Sequence, residues 1–93
     1  MIQSFRDKDT ELLFHRQRSR KFPSDIQRAA LRKLWMINAA HTLPDLKVPP
    51  ANHLEKLRGN RSGQYSIRIN DQWRICFQWN RGHDHQVEIT DYN

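Results

Sequence analysis

From Tyr65 to Trp79 the chain carries two short runs of strict alternation. Tyr65, Ile67 and Ile69 alternate with Ser66 and Arg68; after a few polar residues, Trp73, Ile75, Phe77 and Trp79 alternate with Arg74, Cys76 and Gln78. A period of two marks strands with one buried face. The length of the loop between the runs decides whether their apolar sets coincide. A two-residue loop at Asn70-Asp71 sets Ile67 against Arg74 and mixes apolar and polar residues on one face. A three-residue loop, Asn70-Asp71-Gln72, pairs Ile69 with Trp73, Ile67 with Ile75 and Tyr65 with Phe77, so every large apolar side chain reaches one face. The second register is the predicted one. It also sets Arg68 directly across from Arg74 on the other face, where two like charges destabilise each other unless something anionic joins them.

A third run, residues 86–92, places Val87 and Ile89 on one face and Glu88, Thr90 and Tyr92 on the other, after a predicted turn over residues 80–84. A sheet with one apolar face needs a cover, and the first half of the chain supplies it. Ile26, Ala30, Leu34 and Ile37 form one helical stripe, which predicts a helix over about residues 24–40. Ser24 and Gln27 have the spacing of a capping box at its start. Asp7-Lys8-Asp9-Thr10 offers caps for a shorter helix through Leu12, Leu13 and Phe14, and Ile2 to Phe5 reads as a short edge strand. The basic stretch 15–21 reads as a solvated connection. Three prolines between positions 44 and 50 predict an ordered loop. The expected fold is α+β: two N-terminal helices packed on one face of a small, mainly antiparallel sheet, joined by the short N-terminal strand. A chain of 93 residues suits one domain, 1–93.

Sixteen Lys and Arg against ten Asp and Glu leave a net charge of +6, which favours an anionic partner such as nucleic acid over a small neutral substrate. The single cysteine, Cys76, excludes an internal disulfide and a multi-cysteine zinc site and reads as a structural thiol. No metal or cofactor is expected. The longest apolar run, Trp35 to Ile37, is far too short for a membrane span, and the start of the chain lacks an export signal, so a cytoplasmic protein is expected. The tryptophans at 35, 73 and 79 read as core, and His83-Asp84-His85 as a solvated turn.

Just before the first alternating run stands Leu54-Glu55-Lys56-Leu57-Arg58-Gly59-Asn60-Arg61-Ser62-Gly63. Lys56, Arg58 and Arg61 thus join Arg68 and Arg74 within a short length of chain, beside two glycines that let backbone approach a ligand. Phosphate recognition is the expected use of this cluster.

Four separated blocks carry a resemblance: Met-Ile-Gln-Ser-Phe at the start, the segment Leu57 to Ile67, Asn70-Asp71-Gln72-Trp73-Arg74-Ile75-Cys76-Phe77, and the closing Asp91-Tyr92. In this order they resemble the HigB-type toxins of the RelE superfamily, over nearly the whole chain. The resemblance implies a metal-independent endoribonuclease that cleaves messenger RNA in the ribosomal decoding site through the RNA 2′-hydroxyl, inhibiting translation and growth. It also implies neutralisation by a HigA-like helix-turn-helix antitoxin, with DNA contacted only through the antitoxin complex. By the same resemblance Arg74 is the phosphate and transition-state ligand and Arg61 a second clamp. Glu55 is a candidate base, and Asp91 and Tyr92 are the C-terminal active-site pair. Lys56, Arg58, Arg68 and Asn93 hold the flanking RNA. Glu55 and Asn93 stand where the family often has histidine, and His53 is the neighbouring imidazole that could stand in for Glu55. The alternative is a non-catalytic basic RNA- or ribosome-binding module using the same surface.

Overall fold

The computed structural model describes residues 1–91. Helix α1 (Lys8–Phe14) starts where the Asp7 carboxylate accepts a 3.0 Å hydrogen bond from the Thr10 backbone N–H, which satisfies one of the donors left free in a first helical turn. Helix α2 (Ser24–Ala39) buries Ile26, Ala30, Leu34 and Ile37, the stripe expected from the sequence. Its start differs from the expected capping box. Pro23 occupies the cap position, and the Gln27 amide reaches back to donate to the Ser19 and Phe22 carbonyls at 3.0 and 2.9 Å. The connection 15–21 is correspondingly not all solvated, because Ser19 is buried and its hydroxyl donates to Asp9. The proline-rich stretch forms two 3-10 turns, Leu43–Lys47 and Pro50–Asn52.

Four antiparallel strands follow in sequential order: β1 (Glu55–Lys56), β2 (Gln64–Arg68), β3 (Trp73–Asn80) and β4 (His83–Asp91). The register between β2 and β3 is the three-residue-loop one, with Tyr65 opposite Phe77, Ile67 opposite Ile75 and Arg68 opposite Arg74. Ile67, Ile75, Phe77, Val87 and Ile89 join Leu13, Phe22 and the α2 stripe in one buried cluster between helices and sheet. At about 25 cal/mol per Å² of apolar surface removed from water, this cluster is the main stabilising term.

Three further expectations are corrected. Residues 83–85 are strand, because Arg81 and Gly82 both take positive φ, 53° and 81°, and close a two-residue hairpin that pairs Asn80 with His83. A bulge at Gln86, itself at φ 53°, then sets two residues of β4 against Phe77 and returns Val87 to the core face. Asp84 therefore lies fully buried. Trp35 is not core: it is 42% exposed, stacked on Phe14 at 4.7 Å with the Arg16 guanidinium over its ring. Finally, residues 2–5 join the sheet through two isolated parallel bridges to β4, Ile2 with Asp84 and Phe5 with Val87, and form no continuous strand.

Candidate active site

The face of the sheet away from the helices carries Gln64, Ser66 and Arg68 on β2, Arg74 and Cys76 on β3, and Glu88 on β4, by the same alternation that sends the isoleucines inward. Arg74 sits in its middle and is only 6% exposed. Its Nε donates to the Ser66 hydroxyl at 2.8 Å, and its Nη2 donates to the His53 carbonyl at 2.7 Å. Its Nη1 faces the Glu55 carboxylate at 3.8 Å. The rigid guanidinium fork explains why arginine suits this position: three edges meet three different partners at once. A cavity of about 270 Å³ opens beside it, lined by His53, Glu55, Arg68, Asn70, Asp71 and Arg74.

The shape of this cavity comes from elements that no alternation in the sequence marks. β1 is two residues long and pairs Glu55 with Ser66, which carries the carboxylate to the edge of the arginine's plane. Ahead of it, the chain is pinned from below: Asn52, fully buried, accepts from the Lys33 ammonium on α2 and donates to the Leu46 carbonyl at 3.2 Å. Burial, and after it the neighbouring Arg32, lower the pKa of the Lys33 ammonium. His53 follows with left-handed backbone angles, φ 44° and ψ 59°, and its carbonyl turns onto Arg74.

The other cations flank this centre. Arg61 lies across the sheet face, its Nη1 donating to Gln64 at 3.1 Å and to Glu88 at 3.4 Å. Glu88 also takes Arg6 at 3.3 Å, so one carboxylate spaces two arginines. Beneath them Cys76 is buried, and that burial pushes its thiol pKa up, away from nucleophilic use. A second cavity, of about 420 Å³, is lined by Glu55, Lys56, Leu57, Arg58 and Arg61 and shares Glu55 with the first. Arg68 bonds to the carboxylate of Asp71 across the hairpin loop.

Of the residues singled out from the sequence, Glu55, Arg68 and Arg74 line one cavity, while Lys56, Arg58 and Arg61 line the adjoining one. Asp91 stands across from Trp73, one pair beyond Arg74, and accepts from the Gln72 amide at 2.9 Å. Its alternation follows Ile89 and assigns it to the helix side of the sheet edge. Tyr92 and Asn93 lie outside the described residues. Ser66, Asn70, Asp71 and Glu88 were not foreseen in the sequence. The available signal was Ser66, the small polar residue between Tyr65 and Ile67 on the arginine face.

A profile of RelE-like toxins of type II toxin–antitoxin systems, HigB, matches residues 3–92. Toxin HigB-1 of Vibrio cholerae is 44% identical over 80 residues, covering 85% of this chain and 84% of that protein. Endoribonuclease HigB of Proteus vulgaris is 33% identical over 94 aligned positions that span both chains. The crystal structure of YafQ from Escherichia coli BL21(DE3) superposes with a TM-score of 0.61 over 99% of this chain and 92% of that one; at 16% identity it shares the fold. No helix among the described residues is long and apolar enough to cross a membrane. By both the profile and its relatives, the chain belongs to the HigB-like toxins of type II toxin–antitoxin systems.

Proposed function

We propose that the chain is a ribosome-dependent endoribonuclease, acting in the cytoplasm on messenger RNA in the decoding site and neutralised by a HigA-like helix-turn-helix antitoxin. The observation that carries the proposal is Arg74, buried and held by Ser66 and His53 beside a cavity that also holds Glu55 and Arg68. The relative named Endoribonuclease HigB supports the reaction class.

RNA contains its own nucleophile, so the route needs no metal. The protein must favour loss of the 2′-hydroxyl proton, stabilise negative charge on the phosphate, and protonate the departing 5′-oxygen. In this reading Arg74, already fixed by its neighbours, meets the charge that builds on phosphorus without reorganising. Glu55, beside it, is the proton acceptor. Arg61 clamps the same phosphate from the adjoining cavity, and Lys56, Arg58 and Arg68 hold flanking phosphates. Asp91, tied to the Gln72 amide at the end of β4, positions the chain that leads into Tyr92; Tyr92 stacks on an unpaired base, and Asn93 contacts the RNA.

The test is primer extension on a defined messenger in a reconstituted translation reaction, with and without ribosomes, for the unaltered chain and Arg74→Ala. New ends that require both ribosomes and Arg74 establish the proposal. Stalled translation on intact messenger overturns it in favour of a non-catalytic ribosome-binding module. Ends that form equally without ribosomes overturn the ribosome dependence.

A further inference from the structure

We infer that His53 is the proton donor to the leaving 5′-oxygen, an assignment that rests on the endoribonuclease reading. His53 lines the Arg74 cavity together with Glu55 and Asn70, and the charged groups facing it there are Glu55 of β1, Arg68 of β2, Asp71 of the hairpin loop and Arg74 of β3. Arginines keep their protons, a side-chain amide transfers none, and Asp71 is bonded to Arg68. His53 is the one histidine among the described residues lining this cavity, and an imidazole is a side chain that can both carry and hand over a proton.

The backbone at His53 is held in place. A non-glycine residue in the left-handed region carries a conformational cost, and such residues persist where their surroundings over-determine them. Here the His53 N–H donates to the Pro50 carbonyl at 3.0 Å and its carbonyl accepts from Arg74 at 2.7 Å. The preceding Asn52 is locked to α2 through Lys33. The residue that carries the imidazole is therefore tied directly to the arginine that would bind the phosphate.

The step balances as follows. The Glu55 carboxylate takes the 2′-hydroxyl proton while the 2′-oxygen bonds to phosphorus. The bond from phosphorus to the 5′-oxygen breaks, and its electron pair takes a proton from the His53 imidazolium. The products are a 2′,3′-cyclic phosphate and a 5′-hydroxyl, and solvent returns the proton from Glu55 to His53. Histidine at position 53 thus supplies the proton that neither Glu55 as base nor Asn93 can give.

The variant that isolates the imidazole is His53→Asn, since asparagine tolerates left-handed angles and keeps the backbone carbonyl that holds Arg74. On an ordinary messenger, single-turnover cleavage on the ribosome should slow by about 100-fold or more, and the decline in rate toward alkaline pH should disappear. On a messenger whose scissile linkage carries a bridging 5′-sulfur, a leaving group that needs no proton, the same variant should cut close to the wild-type rate. His53→Gly, which suits the same backbone, should repeat the pattern. Wild-type rates on the ordinary linkage, or equal slowing on both linkages, overturn the assignment. Absence of cutting by the unaltered chain overturns the endoribonuclease reading instead.

Discussion

Arg68 and Arg74 stand opposite each other across β2 and β3, yet their side chains are 34% and 7% exposed respectively. The like-charge conflict of the pair is resolved by giving each its own carboxylate, Asp71 for Arg68 and Glu55 for Arg74. Arg74 becomes part of the framework, and Arg68 stays at the surface.

The buried member should not tolerate lysine. A single ammonium cannot meet Ser66, His53 and Glu55 with the geometry of a planar fork. Arg74→Lys and Arg74→Ala should both cut messenger at least ~100-fold more slowly. Primer-extension time courses check this, with antitoxin binding as the measure of folding.

Ser66→Ala removes the acceptor of the Arg74 Nε–H and leaves a charged donor short of a partner. Urea unfolding should show a loss of about 1.5–3 kcal/mol, the range for hydrogen bonds to charged groups. Cleavage should fall less than in Arg74→Ala, because His53 and Glu55 still hold the guanidinium.

Arg68→Ala should weaken binding of a short single-stranded RNA evenly across sequences. Its mark is the salt dependence: the slope of log K against log salt should become shallower by about 0.7, the value for one phosphate contact on a single strand. Fluorescence titrations at several salt concentrations measure it.

Asn52→Ala strands a buried ammonium, since Lys33 loses its acceptor. The cost should be about 1–3 kcal/mol in chemical denaturation. Adding Lys33→Met should return part of it, so that the double variant is more stable than the two separate losses sum to.

Asp84 sets a pH dependence. Burial raises its pKa to about 6 from 3.8, although the amino group of Met1, 3.6 Å away, pulls the other way. The native chain therefore holds this proton more tightly than the unfolded chain. The contribution to stability is fully present below about pH 4 and is lost as pH rises through about 6. Asp84→Asn should remove that slope, as read from thermal midpoints across the interval.

The sequence showed the β2–β3 register because one loop length alone put Tyr65, Ile67, Ile75 and Phe77 together. It showed α2 because Ile26, Ala30, Leu34 and Ile37 leave no other period. It did not show β1, since two exposed residues carry no periodicity. For the same reason the arrangement around Arg74 was only half visible: the β2–β3 register already sets Ser66 beside it, but the His53 carbonyl and Glu55 reach it only once β1 has docked. Residues 83–85 were misread because the bulge at Gln86 puts Asp84 out of step with Val87 and Ile89. Trp35 was misread because its hydrophobicity does not tell a core position from a stacking partner of Phe14. The arginines were legible as a cluster, and the Asp91-Tyr92 pair only through family resemblance.

Neither flank of the sheet is left as an open template. On one side residues 1–6 donate to and accept from β4 at Asp84 and Val87. On the other, the outermost strand is two charged residues long. A toxin made in excess of its partner must stay dispersed, and short or covered edges deny neighbouring copies a place to add a strand. Peeling away the first six residues would uncover the nine-residue β4, so a damaged N-terminal segment should offer a second copy an edge on which to add a strand.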